Sequence, residues 1–513
     1  MKKTLLTIAA LPIVTVSVAQ SSKLDKPNIV FFLVDDMGWQ DCAVPFHSDT
    51  TQWNRNFETP NMERLAQKGM KFTNAYAASV SSPSRVSLMS GVSPTRHGVT
   101  NWTMFKNKST DGANKYFTFE GWNVNGLQVE EGIEHTFHAT TLAEVLNKNG
   151  YTTLFVGKAH FGAKDTPSQE PLNLGFDYNI AGHAAGGPAS YLSEQHYGNN
   201  LEPVPANAVP GLEKYYDSGT FLTEALTQES IGLMDRAVED DKPFFLYMSH
   251  YAVHIPFMAD NRFYQKYINR GLEEYEARFA SLVEGMDKSL GDIMDYLDKK
   301  GISDNTIILF MSDNGGYTVG VRLNTFGGVN KMSPLRGGKG SLYEGGVREP
   351  MLAYVPGLTK AGSVNNSQLI IEDYFPTILD LAGVANSELV QKLDSKSFIK
   401  AFKGETINKN RPFYWHFPND WGERNNDCGA PSSSLLLGDM KYIHFYETST
   451  NELYDLSNDL GERNNLVGQS KKYDKMAKKM ARLLSDKLRE EGSSMPTSKT
   501  TGEKAPYPDQ TFY

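Results

Sequence analysis

Residues 79–91 read SVSSPSRVSLMSG. Serines, a proline and an arginine stand ahead of a short apolar helix that Gly91 is placed to end. Ser82 suits the N-cap and Pro83 the first helical position, where its missing N–H costs nothing. That puts Ser81 just outside the helix, at the positive end of its dipole, where unpaired N–H groups would hold an oxyanion. Arg85 falls in the first turn, where a cation is unfavourable by about 0.3–1 kcal/mol. A buried anion or a metal-bound carboxylate would favour it there. Two readings compete: a plain helix start, or a nucleophile aimed at an anion.

Other reactive side chains recur at the ends of apolar runs. NIVFFLVDD ends in Asp35-Asp36, TTLFVGKAH in Lys158 and His160, PFFLYMSH in His250 with His254 after it, and IILFMSDN in Asp313-Asn314. One such ending is ordinary turn chemistry. Four together predict a single site, because ligands of a parallel α/β sheet bind at the carboxyl ends of its strands. Asp35, Asp36, Asp313 and Asn314 are hard oxygen donors that suit Ca²⁺ or Mg²⁺ better than Zn²⁺. A cation there would draw in an anionic group and polarise it. His250 reads as structural and His254 as functional.

These residues need a frame. The runs named above are nearly continuous, β-branched or aromatic, which predicts buried parallel strands. Helical spacing lies between them. Thr59 to Met70 contains NMERLAQKGM, and TTLAEVLNKNG (140–150) opens with a Thr cap and closes on Gly. From Glu273 to Lys300, Phe279, Leu282, Val283, Met286, Leu290, Ile293, Met294 and Leu297 recur in steps of three and four. Alternating strands and helices predict an α/β sandwich on a large, mostly parallel central sheet. Near residue 410 the pattern changes. LLLGDMKYIHFYETSTNELYDL alternates and turns like an antiparallel hairpin, and KKYDKMAKKMARLLSDKLREEG is a basic amphipathic helix. The expected organisation is a signal peptide over 1–19, a catalytic α/β domain over 20–409, and a C-terminal subdomain over 410–513 with a small antiparallel sheet, a helix and an irregular tail after Gly492.

The chain has 513 residues and a net charge of −9, which argues against a nucleic-acid partner. MKKTLLTIAALPIVTVSVAQ has lysines, an apolar stretch and a Ser17-Val18-Ala19 cleavage pattern. It predicts export to the periplasm or beyond, without a stable membrane anchor. Cys42 and Cys428 are the only cysteines; they either pair or remain separate thiols.

Ser81-Ser82-Pro83-Ser84-Arg85, followed by Leu88, Ser90 and Gly91, resembles the signature of the type I, formylglycine-dependent sulfatases in its serine-type form. The resemblance runs from KPNIVFFLVDDMGW to ELYDLSNDLGERNNL and takes in GKAHFG, HIPF, SDNGG, PLRGGKGSLYEGGVREP and DYFPTILDLAG. It implies an alkaline-phosphatase-like fold. It also implies Ca²⁺ on Asp35, Asp36, Asp313 and Asn314, with an oxygen from Ser81 after conversion to formylglycine by a radical-type maturating enzyme. Arg85 would stabilise the formylglycine, and Lys158, His160, His254 and Lys339 would surround the sulfate. Lys339, in a Gly-rich stretch, is identified by the resemblance alone. Where the family has GKWH, Ala159 replaces the Trp, a change expected to reshape a pocket wall.

Sulfate esters hydrolyse so slowly that catalysis must supply on the order of 20 kcal/mol. The implied chemistry is attack on sulfur by a hydroxyl of the formylglycine hydrate. Lys158, Lys339, Arg85 and the metal would spread the charge, His254 would protonate the leaving oxygen, and His160 would help deprotonate residue 81 afterwards. Aromatics and amides between Asn101 and Leu127, and in FYWHFPNDW (413–421), suit sugar faces and equally an ordinary loop core. AGHAAGGPAS (181–190), around His183, reads as a loop over the cleft, and His97 and His183 are candidate substrate contacts. The expected substrate is a sulfated carbohydrate of glycosaminoglycan, mucin or algal type. Two other readings stay open here: a phosphate or phosphonate ester hydrolase of the same superfamily, and a non-catalytic binder of sulfated glycans if Ser81 is not matured.

Overall fold

A computed structural model of the chain describes residues 26–318, 333–384 and 388–512. The proposed signal peptide, 1–19, lies outside the described residues.

The strands in chain order are β1 (Asn28–Val34), β2 (Met70–Tyr76), three two-residue strands β3 (Phe117–Thr118), β4 (Leu127–Gln128) and β5 (Phe137–His138), β6 (Thr152–Gly157), β7 (Tyr178–Ile180), β8 (Phe244–Ser249), β9 (Thr306–Ser312), β10 (Arg348–Tyr354) and β11 (Ser363–Ile370). Eight of them form the central sheet in the order β11-β2-β10-β9-β1-β8-β6-β7. Every pairing is parallel except those of β10, which runs against both β2 and β9.

The helices that position the site are α1 (Pro60–Lys68), α2 (Ser81–Ser90), α3 (Pro94–His97), α4 (Leu142–Lys148), α5 (Leu222–Glu239), α6 (Tyr264–Asn269) and α7 (Glu274–Lys300). The uninterrupted apolar run of β1 has a direct cause, since all seven of its residues are buried. Val30, Phe32 and Val34 face one layer with α1, α5 and α7, while Ile29, Phe31 and Leu33 face the other with α2, α4 and the helix Tyr374–Leu381. The sheet is covered on both faces, as parallel sheets require. The apolar residues at steps of three and four in α7 are all buried. At α4 the Thr141 side chain accepts from the Glu144 N–H, as the sequence predicted.

The C-terminal sheet is an antiparallel meander of β12 (Phe413–Phe417), β13 (Ser432–Leu437), β14 (Met440–Phe445) and β15 (Thr450–Asp455). The helix Lys471–Glu490 packs Ala477, Met480, Ala481, Leu484 and Leu488 onto Leu435, Tyr442 and Leu453. The tail is more ordered than its polarity suggested. β16 (Thr497–Ser498) pairs with β3, and Pro508–Thr511 forms a short 3-10 turn. Cys42 and Cys428 are separate buried thiols, so the pairing alternative falls. No helix among the described residues is long and apolar enough to cross a membrane.

Candidate active site

β9, β1, β8 and β6 are adjacent and parallel, so their carboxyl ends share one rim. Asp313-Asn314, Asp35-Asp36, His250 and Lys158 follow those ends directly, and Ser249 closes β8. β2 runs the same way and delivers the segment leading to Ser81. β10 runs the other way, so the chain that approaches its first residue passes this rim too and brings Lys339.

α2 begins two residues earlier than the sequence predicted. Val80 is the N-cap, without a side-chain bond, and Ser81 occupies the first helical position. Ser82 does not cap the helix. Its hydroxyl accepts from the Thr103 N–H at 3.1 Å and lies 3.3 Å from the Thr103 hydroxyl. Ser81 still meets the open end of α2, and its side chain turns toward the acids. Its Oγ lies 3.1 Å from Asn314 Oδ1 and 3.4 Å from Asp35 Oδ1, and accepts from Lys158 Nζ at 2.9 Å.

The cations explain one another's positions. Arg85 Nε donates to Asp313 Oδ2 at 2.9 Å, with a second guanidinium nitrogen 2.8 Å from the same oxygen. That carboxylate is the buried anion that the odd position of Arg85 called for. Another guanidinium nitrogen donates to the Lys158 carbonyl at 2.9 Å and to Ser249 Oγ at 2.6 Å. Lys158 Nζ donates to Asp35 Oδ1 at 2.7 Å. Lys339 Nζ sits 2.7 Å and 2.8 Å from the two oxygens of Asp36. His254 Nδ1 donates to the Ile255 carbonyl at 2.7 Å, leaving Nε2 3.7 Å from Asp36 Oδ2. His160 Nε2 donates to the Thr103 carbonyl at 2.9 Å, and its Nδ1 has no partner among the described residues.

Burial opposes charge throughout. It pushes Asp35 well above the usual carboxylate range, with Lys158 pulling back and Asp313 and Asp36 adding to the rise. Burial acts the same way on Asp36, but Lys339 and His254 overturn it and hold that carboxyl low. At Asp313 burial is overturned by Arg85 and Lys158. Burial brings Lys158 down to about 8, against the pull of Asp35. It also lowers His254 to about 3, with Lys339 adding to the effect. Asp36 and His160 both adopt left-handed backbone, at φ 58° and 54°. Non-glycine residues there cost of order 1–3 kcal/mol and persist where the surroundings fix them, as at working sites.

Carboxylate oxygens of Asp35, Asp36 and Asp313 lie within 4.8 Å of one another, the only such acid, His or Cys group found among the described residues. Asp35 Oδ2 is buried without a hydrogen-bond partner among the described residues. Asn314 adds an amide oxygen directed at Ser81. Hard oxygen donors, mutual repulsion and an orphaned carboxylate oxygen fit a hard divalent cation. The extra histidines of a two-zinc site are missing from this group.

Ser81, His160, His254 and Lys339 lie on the floor of a cavity of about 570 Å³. Trp102, Phe105, Tyr317 and Trp421 form aromatic walls, and residues 185–189 form another side. Trp102, Phe105 and Trp421 belong to the aromatic stretches flagged in the sequence. Trp122 and Trp415 from those stretches are buried away from it, bonded to Asp111 and to the Ala77 carbonyl.

Three expectations fail. His97 does not line the cavity. It is fully buried, 3.0 Å from Ser87 Oγ, with Nδ1 accepting from the Val99 N–H. The His183 side chain is not a wall residue either, although its carbonyl accepts from the His160 N–H. Ala159 is buried in the apolar layer around Phe155 and Phe161 and does not line the cavity. His250 is structural as read, 2.8 Å from Ser289 Oγ. The sequence reading missed Ser249, Asn207, Tyr317 and Glu423. Ser249 was visible as the last residue of an apolar run, whereas no local signal marks the other three.

The general sulfatase family model matches residues 27–384. The chain belongs to the sulfatase family. A second model, described as N-sulphoglucosamine sulphohydrolase, C-terminal, matches residues 338–490. The chain is 30% identical over 475 residues to N-acetylgalactosamine-6-sulfatase of Mus musculus, covering 87% of this chain and 83% of that protein. It is 29% identical over 513 residues to a sulfatase of Formosa agariphila, covering 90% and 88%. The crystal structure of Ps i-CgsB in complex with k-i-k-neocarrahexaose superposes with a TM-score of 0.70 at 28% identity, covering 90% of this chain and 93% of that one. The sulfatase is thus a sulfuric ester hydrolase on an alkaline-phosphatase-like α/β fold.

Proposed function

We propose that this sulfatase removes O-sulfate from the sugars of sulfated glycans, using Ser81 matured to formylglycine and a calcium ion on Asp35, Asp36, Asp313 and Asn314. The observation that carries this reading is the convergence of Lys158, Asp35 and Asn314 on Ser81 Oγ at the floor of an aromatic-walled cavity. Aromatic faces suit sugar rings. The names of the Mus musculus relative and the carrageenan fragment bound to Ps i-CgsB agree with a sugar sulfate.

When present, the formylglycine hydrate supplies a nucleophile better than a serine hydroxyl, and the calcium ion supplies Lewis acidity. The remaining work falls to the chain's own side chains. Lys158 and Lys339 bind the sulfate oxygens and offset the charge that grows on them. Arg85 keeps Asp313 ionised and in place, and through the Lys158 carbonyl and Ser249 it fixes the start of the segment that carries Lys158. His254 Nε2 is the nitrogen that would carry a proton to the leaving sugar oxygen, because Nδ1 is committed to Ile255. The role requires the bound anionic ester to offset the burial and Lys339 that otherwise keep this ring neutral. His160 is open at Nδ1, and there it accepts the proton that residue 81 releases when sulfate is expelled.

With Asp35 ionised, as a bound divalent cation would keep it, the three carboxylates balance Arg85, Lys158 and Lys339. A divalent cation makes that floor positive, which holds an anionic ester. We also read residues 20–409 as the catalytic unit, with 410–513 as a subdomain that contributes Trp421 and Glu423 to the cavity. Residues 1–19 would direct the protein to the periplasm or outside the cell, where a radical-type maturating enzyme has already acted on Ser81.

The test is the mass of the natively matured Ser81 peptide, together with sulfate release from a panel of sulfated sugars. The expected peptide is lighter than the serine form by its two lost hydrogens and reacts with a carbonyl reagent. Sulfate release with an unmodified serine would end the formylglycine assignment. Phosphate release without sulfate release would favour the phosphoesterase reading.

A further inference from the structure

Residues 185–189 read AGGPA, and the mechanism above gives them no task. Their backbone is pinned at both ends. The Ala189 N–H donates to the Asn207 carbonyl at 2.8 Å, and the His160 N–H donates to the His183 carbonyl at 3.2 Å. Tyr191 OH, just beyond, donates to the carbonyls of Tyr251 and His254 at 2.7 Å and 2.8 Å.

Neither Gly186 nor Gly187 has a positive φ, so conformation does not demand glycine at either position. Space does. A Cβ on Gly186 would press on Cε1 of His160 and lie 2.8 Å from its Nδ1 and 2.9 Å from its Nε2. A Cβ on Gly187 would lie 2.5 Å from Nδ1 and 2.6 Å from Cε1 of His254. Two consecutive glycines therefore lie against the two imidazoles of the site, one ring each.

The rings differ in what they can do about a clash. His160 is only 2% exposed and tied to Thr103, so it cannot move without losing that bond. The His254 side chain is 18% exposed and borders the cavity, so it can swing outward, away from Ile255.

We infer that Gly186 and Gly187 are positioning residues that set the faces of His160 and His254, so that Nδ1 of the first and Nε2 of the second present to the reacting group. This rests on the proposed proton roles of the two histidines. The wall serves as a template: it touches no reacting atom, and its lack of side chains fixes the geometry of the two bases.

The experiment uses the matured enzyme and two substrates, a sugar O-sulfate with a poor leaving group and an aryl sulfate with a good one. Gly187→Ala is expected to lower kcat for the sugar sulfate by about 10²-fold, in the range that positioned acid catalysis contributes, and to change the aryl sulfate little. KM should stay nearly constant for both. Gly186→Ala is expected to lower kcat for both substrates alike, because His160 serves residue 81 rather than the leaving group. The double variant Gly187→Ala with His254→Ala should be no worse than His254→Ala alone, measured on the sugar sulfate, where each single variant has its effect.

Equal losses on both substrates from Gly187→Ala, or a full further loss in the His254→Ala background, would overturn the inference. Thermal unfolding of each variant separates misfolding from mispositioning. If His254→Ala itself does not discriminate between the leaving groups, the acid assignment fails. The double-variant comparison still decides whether Gly187 acts through that ring.

Discussion

Two groups of buried charge are linked by the approach to β10, which carries Lys339 to one and Glu344 to the other. One lies beneath the cavity floor, with Asp35, Asp36 and Asp313 set against Arg85, Lys158 and Lys339, the last of which reaches the lining. The other joins the central sheet to the C-terminal sheet. There Lys441 Nζ lies 2.7 Å from Glu344 and 3.2 Å from Glu462, while Tyr76 OH and Arg348 reach the other Glu344 oxygen at 3.0 Å and 3.2 Å. The members of both are buried, although Lys339 of the first borders the cavity. Beside the second, Tyr343, Ile443 and Tyr454 form an apolar cluster, and Lys441 Nζ lies 5.8 Å from the centre of the Trp415 ring. Burial, partly offset by Lys441, pushes Glu462 up to about 8, so a retained proton lowers the charge held there. The floor instead opens on a cavity and presents a hydroxyl oxygen to its cations. Buried charge alone therefore does not mark a working site. Access and convergence on a nucleophile do.

The comparison is broken most directly at Ser81. Ser81→Ala should cut sulfate release by on the order of 10⁴–10⁶-fold while leaving the unfolding midpoint nearly unchanged. The reverse is expected at Lys441. Lys441→Met takes from buried Glu344 its nearer cation and leaves it Arg348 and Tyr76. Urea unfolding should show a loss of about 3 kcal/mol, the low end for a broken buried pair because Arg348 remains and Glu462 can stay protonated. Activity per folded molecule should persist.

Calcium sharpens the distinction. Adding it to chelated protein at about 100 times its Kd should raise stability by about 2.7 kcal/mol by mass action. Asp313→Asn should abolish that increment, and Lys441→Met should retain it. A calcium increment that survives Asp313→Asn would place the ion elsewhere.

The smallest effect concerns titrating groups outside both clusters. Burial lowers His97 to about 3 and His416 to about 4. The unfolded chain binds protons at these positions below its ordinary value near 6.5, and the folded chain does not. Their contribution is complete above about pH 6.5 and is lost as pH falls toward the folded values, by about 1.4 kcal/mol per pH unit for each histidine. His97→Gln should flatten the fall in stability between pH 6 and 5 by one histidine's share, read by urea unfolding.

Much of the floor was legible because its residues follow buried strands. The apolar run of β1 predicted both the strand and the edge at which Asp35 and Asp36 emerge, and β6, β8 and β9 repeat that pattern. Arg85 was legible as an electrostatic misfit at a helix start, and Asp313 resolves it. Lys339 was not legible from local pattern. It reaches the rim because β10 is reversed, and strand direction is a property of the sheet. His97 misled because a histidine near a nucleophile helix reads the same whether it faces a cavity or Ser87. Trp421 and Glu423 reach the cavity from the far side of the chain's change in pattern, and Tyr317 reaches it with no marking pattern at all.

The sequence by itself determined the α/β layering, the donor set at four strand ends, and the misfit charge in the first turn of the helix that carries Ser81. Those follow from periodicity and residue type, which act over a few residues. The tertiary structure alone decided which histidines see the cavity, which lysine arrives on a reversed strand, and that two glycines must leave room for two imidazoles. Such choices depend on contacts between residues far apart in the chain, and no local pattern encodes how closely those side chains will pack.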